Sequence, residues 1–273
     1  MSRSHPNRDD EEEKPWTPED GWPEDDEEEA EDEPRPRRLW IRRTVVAVLI
    51  AALFANVAAF WPQVYNYEAI RFLLVSNVLS QDERLAGYKR AVVAVSSGDA
   101  RASGFHIGGG YIVTNEHVVD GGREITVHFH QETAGRAAER IGADEGQDLA
   151  LLKLEGTDTD KLPVLPLAES WAPGDPVYII GNPLFFTRVI NKGTIEGLTL
   201  AYGGSQPVMA IDVPVFSGNS GSPIIDGQGS VVGVAYASRQ KEEDGRTRQS
   251  GLAVPAEAVR AFMDTLGLGD PSN

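Results

Sequence analysis

From Ala86 onward the chain is a succession of short apolar runs cut by turns, and that pattern confines the fold to β architectures. The runs occupy residues 91–95, 110–114, 125–129, 149–154, 177–180, 189–195, 208–213, 231–237 and 251–254. Many short strands at this spacing predict a β-sandwich or barrels. The Pro-rich stretch 162–176 reads as the joint between two halves. The last element starts at Pro255 and carries Val259, Phe262, Met263 and Leu266 on one face, and Gly267 stops it. That spacing predicts a C-terminal helix packed on the β domain.

The N-terminal part is built differently. Net charge over the 273 residues is −17, and residues 9–33 hold long Asp/Glu runs with Pro and Gly and almost nothing apolar. Such a segment cannot bury enough surface to offset its ordering entropy, so residues 1–38 read as a disordered tail. Trp16 and Trp22 could anchor a cytoplasmic partner on it. The acidic balance argues against nucleic-acid binding, which depends on neutralising phosphates. With no cysteine there is no disulfide framework and no Cys-ligated metal, and no cofactor is implied.

Arg35, Arg37, Arg38, Arg42 and Arg43 end the tail, and residues 44–61 then carry no charge. At about 1.5 Å per residue this run just covers a hydrocarbon core of about 30 Å. Trp40 on one flank and Trp61, Tyr65 and Tyr67 on the other suit the interfaces. Residues 39–62 are therefore expected to be a transmembrane helix. With every arginine of the cluster on the N-terminal side, the tail stays in the cytoplasm and the remainder lies outside. A cleaved signal peptide is the rival; the long acidic leader and the lack of an Ala-x-Ala site oppose it. Residues 63–85 form a linker. Ile70, Leu73, Leu74 and Val78 at helical spacing predict a helix, lying on the membrane surface or docked on the next domain.

The chemistry-bearing stretch is Ser217-Gly218-Asn219-Ser220-Gly221-Ser222-Pro223. A small serine between glycines on a tight turn suits a nucleophile that a large substrate must reach. The glycines let backbone N–H groups converge on one concavity that could hold an oxyanion. Ordinary turn chemistry reads the same way. A serine hydroxyl needs an adjacent base, and the chain has five histidines. His5 lies in the tail. His106 reads as a turn residue before three glycines. His128 and His130 alternate along a strand with no evident third metal ligand. His117 ends an apolar strand, where a ring is held rigidly with one edge free; that suits a general base, or a satisfied core histidine. Asp148, immediately before the apolar run 149–154, is the carboxylate placed to orient such a base. Asp144 is the weaker candidate.

Together these segments resemble the trypsin-like serine proteases, and among them the HtrA/Deg group. Thr114-Asn115-Glu116-His117-Val118-Val119 resembles that group's histidine box. Asp148-Leu-Ala-Leu-Leu resembles its aspartate box, and Gly218-Asn-Ser-Gly its serine box. Gly181-Asn-Pro and Gly251-Leu-Ala-Val-Pro are two further likenesses, and the order His, Asp, Ser is that of the chymotrypsin fold. The resemblance implies an all-β protease domain at 86–268 made of two six-stranded antiparallel barrels, about 86–165 and 175–254, with a helix at 255–267. It implies His117 and Asp148 from the first barrel, Ser220 from the second, and an oxyanion hole made by the amides of Gly218 and Ser220. Three departures stand out. Ser222 replaces a second glycine, no room is left for a PDZ domain after Gly267, and Asn219 takes the place of an aspartate that pairs with a freed N-terminus in trypsin-type zymogens.

Residues 213–216 offer no acid to a primary pocket. With Val215, Phe216, Ala235, Tyr236 and Ala237 as its walls, a small or medium apolar side chain before the scissile bond is expected. The charged stretch 240–249 reads as a loop bordering that pocket, and Phe185 and Phe186 as a regulatory loop or as core. The implied function is a membrane-anchored, extracytoplasmic serine endopeptidase that acts on protein or peptide substrates in envelope quality control or processing. The alternative is a catalytically idle chaperone, peptide-binding or signalling module on the same fold. The sequence assigns no oligomeric state.

Overall fold

The computed structural model describes residues 36–64, 75–121, 124–130, 132–156, 158–183, 187–200, 206–243, 246–269 and 271. The chain divides into two compact units, Met1–Pro62 and Gln63–Asn273. The first is represented by helix α1 (Pro36–Val64). Its apolar stretch Arg38–Asn56 is long and apolar enough to cross a membrane, and it is exposed along its whole length. Proline in the first turn lacks only an N–H that would be unpaired there anyway. The acidic runs, Trp16, Trp22, Ile70, Leu73 and Leu74 lie outside the described residues. Residues 75–79 are helical and leave Val78 exposed.

The second unit contains two closed six-stranded barrels. Barrel 1 comprises β1 (Val92–Ser97), β2 (Ala100–His106), β3 (Tyr111–Thr114), β4 (Ile125–His128), β5 (Arg136–Asp144) and β6 (Leu149–Leu154). Barrel 2 comprises β7 (Pro176–Gly181), β8 (Val189–Leu200), β9 (Pro207–Ile211), β10 (Pro223–Ile225), β11 (Val231–Glu243) and β12 (Arg246–Pro255). All ladder pairings are antiparallel, as short turns between consecutive strands require. Short helices α2 (Glu83–Tyr88) and α3 (Glu116–Val119) flank β1 and follow β3, and α4 (Ala256–Thr265) closes the chain.

Each barrel has its own core. Val93, Val95, Ile112, Val127 and Leu152 fill the first, and Val177, Ile179, Ile195, Met209 and Ile224 the second. A third cluster lies between them. There Phe105, Leu149 and Leu151 of barrel 1 meet Ile180, Ile190 and Val234 of barrel 2 and Val259, Phe262 and Met263 of α4. Fully burying each such side chain contributes about 1.5–3 kcal/mol, so the barrels are held as one body. The joint 162–176 is pinned to both: Leu165 N donates to His106 O at 2.9 Å, and Ala168 N to Val231 O at 2.8 Å. A buried arginine adds a polar link, with Arg188 Nε donating to Val92 O at 2.9 Å and its Nη2 to His128 O at 3.0 Å.

One expectation fails. Within the charged stretch, 240–243 and 246–249 are not loop: β11 and β12 pair there, with Gln240 opposite Gln249 and Glu243 opposite Arg246. The aromatic pair Phe185 and Phe186 lies outside the described residues.

Candidate active site

β3 runs out of barrel 1 into the single turn of α3, whose Val118 and Val119 are buried while His117 keeps half its side chain exposed (50%). Asp148 is the last residue of the turn before β6 and adopts a left-handed conformation, φ 52°. Aspartate is among the few residues that tolerate this region. Asp144, the weaker candidate, stabilises the turn by accepting from Gln147 N at 3.0 Å. The Asp148 carboxylate accepts from His117 N at 3.0 Å, and His117 Nδ1 lies 2.8 Å from its Oδ2. Donation from Nδ1–H leaves Nε2 with a free lone pair, the tautomer a general base requires.

The hydrogen bond to Asp148 holds the His117 imidazole above the ordinary histidine value, against the opposing effect of burial and with help from the charges of Asp148 and Glu116. Glu116 is itself pushed up, by burial first and then by Asp120, Glu145 and Asp148; Arg140 lies 3.9 Å from it. From barrel 2, Tyr236 faces the same carboxylate: burial raises its hydroxyl, and the Asp148 charge adds to the effect.

Ser220 lies on the turn between β9 and β10. Gly218 and Gly221 have φ of 92° and 78°, values that L side chains rarely adopt. A Cβ on Gly218 would lie 2.3 Å from Asn182 O, and one on Gly221 2.1 Å from Ser103 O. Both positions therefore require glycine by conformation and by space. Asn219 N donates to Phe216 O and Ser222 N to Asn219 O, each at 2.9 Å. Among the described residues the amides of Gly218 and Ser220 donate to no protein acceptor. Two uncommitted N–H groups flanking a serine are what an oxyanion-binding concavity requires. Behind them, Asn219 Nδ2 and Oδ1 and Ser222 Oγ are buried without partners among the described residues. They lie against Gly181, where a Cβ would come within 2.0 Å of Ser222 Oγ.

Two residues whose roles the sequence reading left unassigned tie these pieces together. Ser103, fully buried in β2, donates from N to Ser220 O at 2.8 Å and from Oγ to Gly218 O at 2.7 Å. Its Oγ also accepts from Asn182 N at 2.9 Å. Asn115, equally buried, donates from Nδ2 to Asp148 O and accepts at Oδ1 from Gly221 N, both at 2.7 Å. For Asn115 the available signal was an amide side chain two positions before the base, directly after the apolar strand β3; buried there, such a residue must find partners.

Of the expected pocket residues, Val215 (7% exposed) and Ala235 (0%) are in the core of barrel 2. Ala235 offers its backbone to the serine turn, accepting from Gly221 N at 2.8 Å. Phe216, Tyr236 and Ala237 are half-buried. His106 is not a turn residue. It ends β2 fully buried, with Nδ1 2.8 Å from Pro163 O and Nε2 accepting from Gly110 N at 3.0 Å. Burial pushes its ring below the ordinary value. His128 closes β4, and His130 lies beyond the strand. Among the described residues no cluster of His, Asp and Glu could hold a metal ion.

Comparison with known proteins gives a consistent picture. Residues 102–234 match the family model of a trypsin-like peptidase domain. The serine endoprotease DegS of Escherichia coli K12 is 33% identical over 165 residues, covering 58% of this chain and 45% of that protein. A probable periplasmic DegP-like serine endoprotease of Pseudomonas fluorescens is 39% identical over 172 residues, covering 61% and 35%. The chain thus spans less than half the length of these relatives. Among solved structures, the active form of the Rv3671c protease from M. tuberculosis superposes with a TM-score of 0.59 at 24% identity, covering 71% of this chain and 88% of that one. A serine endoprotease from Yersinia pestis gives 0.55 at 27%, covering 67% and 66%.

Proposed function

We propose that this chain, which carries a trypsin-like peptidase domain homologous to the HtrA, DegS and DegP serine proteases, hydrolyses peptide bonds through Ser220, His117 and Asp148. The observation that carries the reading is the imidazole–carboxylate pair at 2.8 Å, linked through Asn115 to a serine turn whose Gly218 and Ser220 amides have no acceptor among the described residues. In the reaction Ser220 Oγ attacks the scissile carbonyl carbon while His117 Nε2 takes the hydroxyl proton. The C=O π pair moves onto oxygen, and the amides of Gly218 and Ser220 bind that oxyanion. Collapse expels the amine, which takes the proton from His117 and leaves an acyl-enzyme. Water, deprotonated by His117, then releases the acid and restores the serine. Asp148 holds the tautomer and stabilises the imidazolium; it is not protonated in the cycle.

The substrate class is protein or peptide. The approach to the serine, Val213 to Phe216, carries no carboxylate, which supports a small or medium apolar residue before the cleaved bond. α1 is proposed as an uncleaved anchor, with the arginine cluster and acidic tail in the cytoplasm and the barrels outside. The names of periplasmic relatives support that placement. Envelope protein quality control or processing is the corresponding role, and the acidic tail is a candidate docking segment for a cytoplasmic partner.

Labelling by a fluorophosphonate tests the chemistry. The wild-type chain is expected to label at one serine, and Ser220→Ala and His117→Ala chains of unchanged melting temperature are not. A folded wild-type chain that does not label would reduce the domain to a binding module. Reporter fusions after Asn273, active only outside the cytoplasm, and resistance to carbonate extraction test the topology. A soluble mature chain starting near Trp61 would replace the anchor by a signal peptide.

A further inference from the structure

We infer that Asn115 and Ser103 are positioning residues: a two-point clamp by which barrel 1 sets the nucleophile turn of barrel 2 against its own imidazole–carboxylate pair. The inference rests on the peptidase reading above.

Asn115 occupies the N-cap position of α3, where an asparagine side chain ordinarily accepts from the helix's first amides. Here it makes no such cap. Both of its functional groups are directed elsewhere, the donor to Asp148 O and the acceptor to Gly221 N, each at 2.7 Å. A residue that served only its helix would show the opposite choice. One planar amide thus fixes the spacing between the turn that presents the carboxylate and the turn that presents the serine. It also braces Asp148 in its left-handed conformation, which the following strand alone does not enforce.

Ser103 acts on the other side of the same turn. The Ser220–Gly221 peptide is held at both ends: its carbonyl accepts from Ser103 N at 2.8 Å, and its N–H is shared between Asn115 Oδ1 at 2.7 Å and Ala235 O of its own barrel at 2.8 Å. The Gly218 carbonyl is fixed by Ser103 Oγ at 2.7 Å. The Asn219–Ser220 peptide, which carries one of the two amides without an acceptor among the described residues, is therefore flanked by pinned neighbours. Glycine at 218 and 221 allows many backbone arrangements; the clamp selects one. Asn182 extends the device, since its N–H also donates to Ser103 Oγ, at 2.9 Å.

The two halves of the clamp predict different failures. Losing Asn115 loosens Asp148 as well as the serine turn, so the hold on His117 weakens and its titration moves toward the ordinary value. His117 is otherwise faced by Glu116, and Asp148 by Tyr236 and Glu116; none of these is altered. Losing the Ser103 hydroxyl disturbs the serine turn and Asn182, which donates to it, but leaves the Asp148 turn untouched.

The experiment compares full-length wild type, Asn115→Ala and Ser103→Ala on an ester substrate and a fluorophosphonate, with histidine titration by NMR and thermal unfolding in parallel. Asn115→Ser replaces Asn115→Ala should the latter not fold. Both variants are expected to lose about ten- to a hundredfold in kcat with little change in KM. The His117 midpoint should fall in the Asn115 variant and stay in place in Ser103→Ala. Losses below about threefold in both variants, or an unmoved midpoint in the Asn115 variant, would overturn the clamp. Should the wild type react with neither reagent, the peptidase reading fails. The titration, together with the Gly218 and Ser220 amide resonances in Ser103→Ala, then decides the clamp on its own: unmoved signals overturn it and shifted ones support it.

Discussion

The two barrels hold their functional groups by different physics. Barrel 1 positions His117 and Asp148 with side-chain hydrogen bonds, namely the carboxylate to the imidazole and to the His117 amide, and Asn115 to the Asp148 carbonyl. Barrel 2 shapes the Ser220 turn through backbone conformation, with positive φ at Gly218 and Gly221 and no room for a Cβ at either, and the clamp from barrel 1 then holds that shape. The first arrangement is electrostatic and responds to protonation. The second is steric and responds to volume. Substitutions that add atoms should therefore disable barrel 2's half of the site, and changes of charge or pH should disable barrel 1's half.

The largest effect is expected where volume enters the serine turn. In Gly221→Ala the new methyl would lie 2.1 Å from Ser103 O and 2.5 Å from Thr114 Oγ1, at a φ of 78°. The turn must shift, and both the clash and the strained backbone contribute, at about 1–3 kcal/mol for the strain alone. Hydrolysis should fall below detection and the melting temperature by several degrees. Gly227→Ala, where nothing lies within 4 Å and the glycine has no positive φ, is the control that should change neither. Equal behaviour of the two variants would remove the steric half of the comparison.

This contrast also explains what could be read before folding. The apolar strands were legible because burial imposes their composition, as in Leu149–Leu154, which matches its predicted bounds. Strands β2 and β5 were not read. β5 is largely exposed and carries Arg136, Glu139 and Arg140, and β2 begins with exposed Ala100 and Arg101 and contains Ser103 and Gly104. Such strands are specified by the partners they pair with rather than by their own alternation. The 240–249 stretch was misread for the same reason. Within the site, each box pointed to its own residue, but the partners of Asn115 are a carbonyl 33 residues away and an amide 106 residues away. Local spacing carries no trace of such pairings. The buried state of His106 was hidden likewise, because its acceptor, Pro163 O, belongs to the joint between the barrels.

A smaller effect is expected from charge in barrel 1. Asp148→Asn keeps the size and tolerates the left-handed backbone, so the fold should persist. It removes the carboxylate that selects the His117 tautomer, and kcat should drop by about three to four orders of magnitude. The pH profile sharpens the point. In the proposed mechanism only neutral His117 accepts the serine proton, and its hydrogen bond to Asp148 raises its pKa. Activity of the wild type should therefore rise with pH through a midpoint above about 6.5, the ordinary histidine value. The residual activity of Asp148→Asn should rise through a lower midpoint. A profile flat from pH 5 to 8 would remove His117 as the base.

The smallest effect separates two histidines of barrel 1 by the sign of their linkage to folding. His117 has a raised folded pKa, so its pairing stabilises the fold fully below the unfolded value of about 6.5, and that contribution is lost as pH rises through the folded value. His106 is the reverse case. Burial lowers its folded pKa, so on acidification below about 6.5 the unfolded chain takes up a proton that the folded chain refuses, and stability falls. Each such proton bends the stability curve by at most about 1.4 kcal/mol per pH unit. His106→Asn keeps a polar group that can serve the Pro163 carbonyl, but it does not titrate. Thermal unfolding between pH 7.5 and 5 should then show a shallower loss on the acid side in His106→Asn than in wild type, whatever the absolute stability of the variant. In His117→Ala the difference from wild type should instead lie on the neutral side, between about 6.5 and the raised folded value, where wild type gains stability as pH falls and the variant does not. Parallel curves for the two variants would mean that His106 is not held neutral by its burial, and that the acid response of the fold originates among its carboxylates.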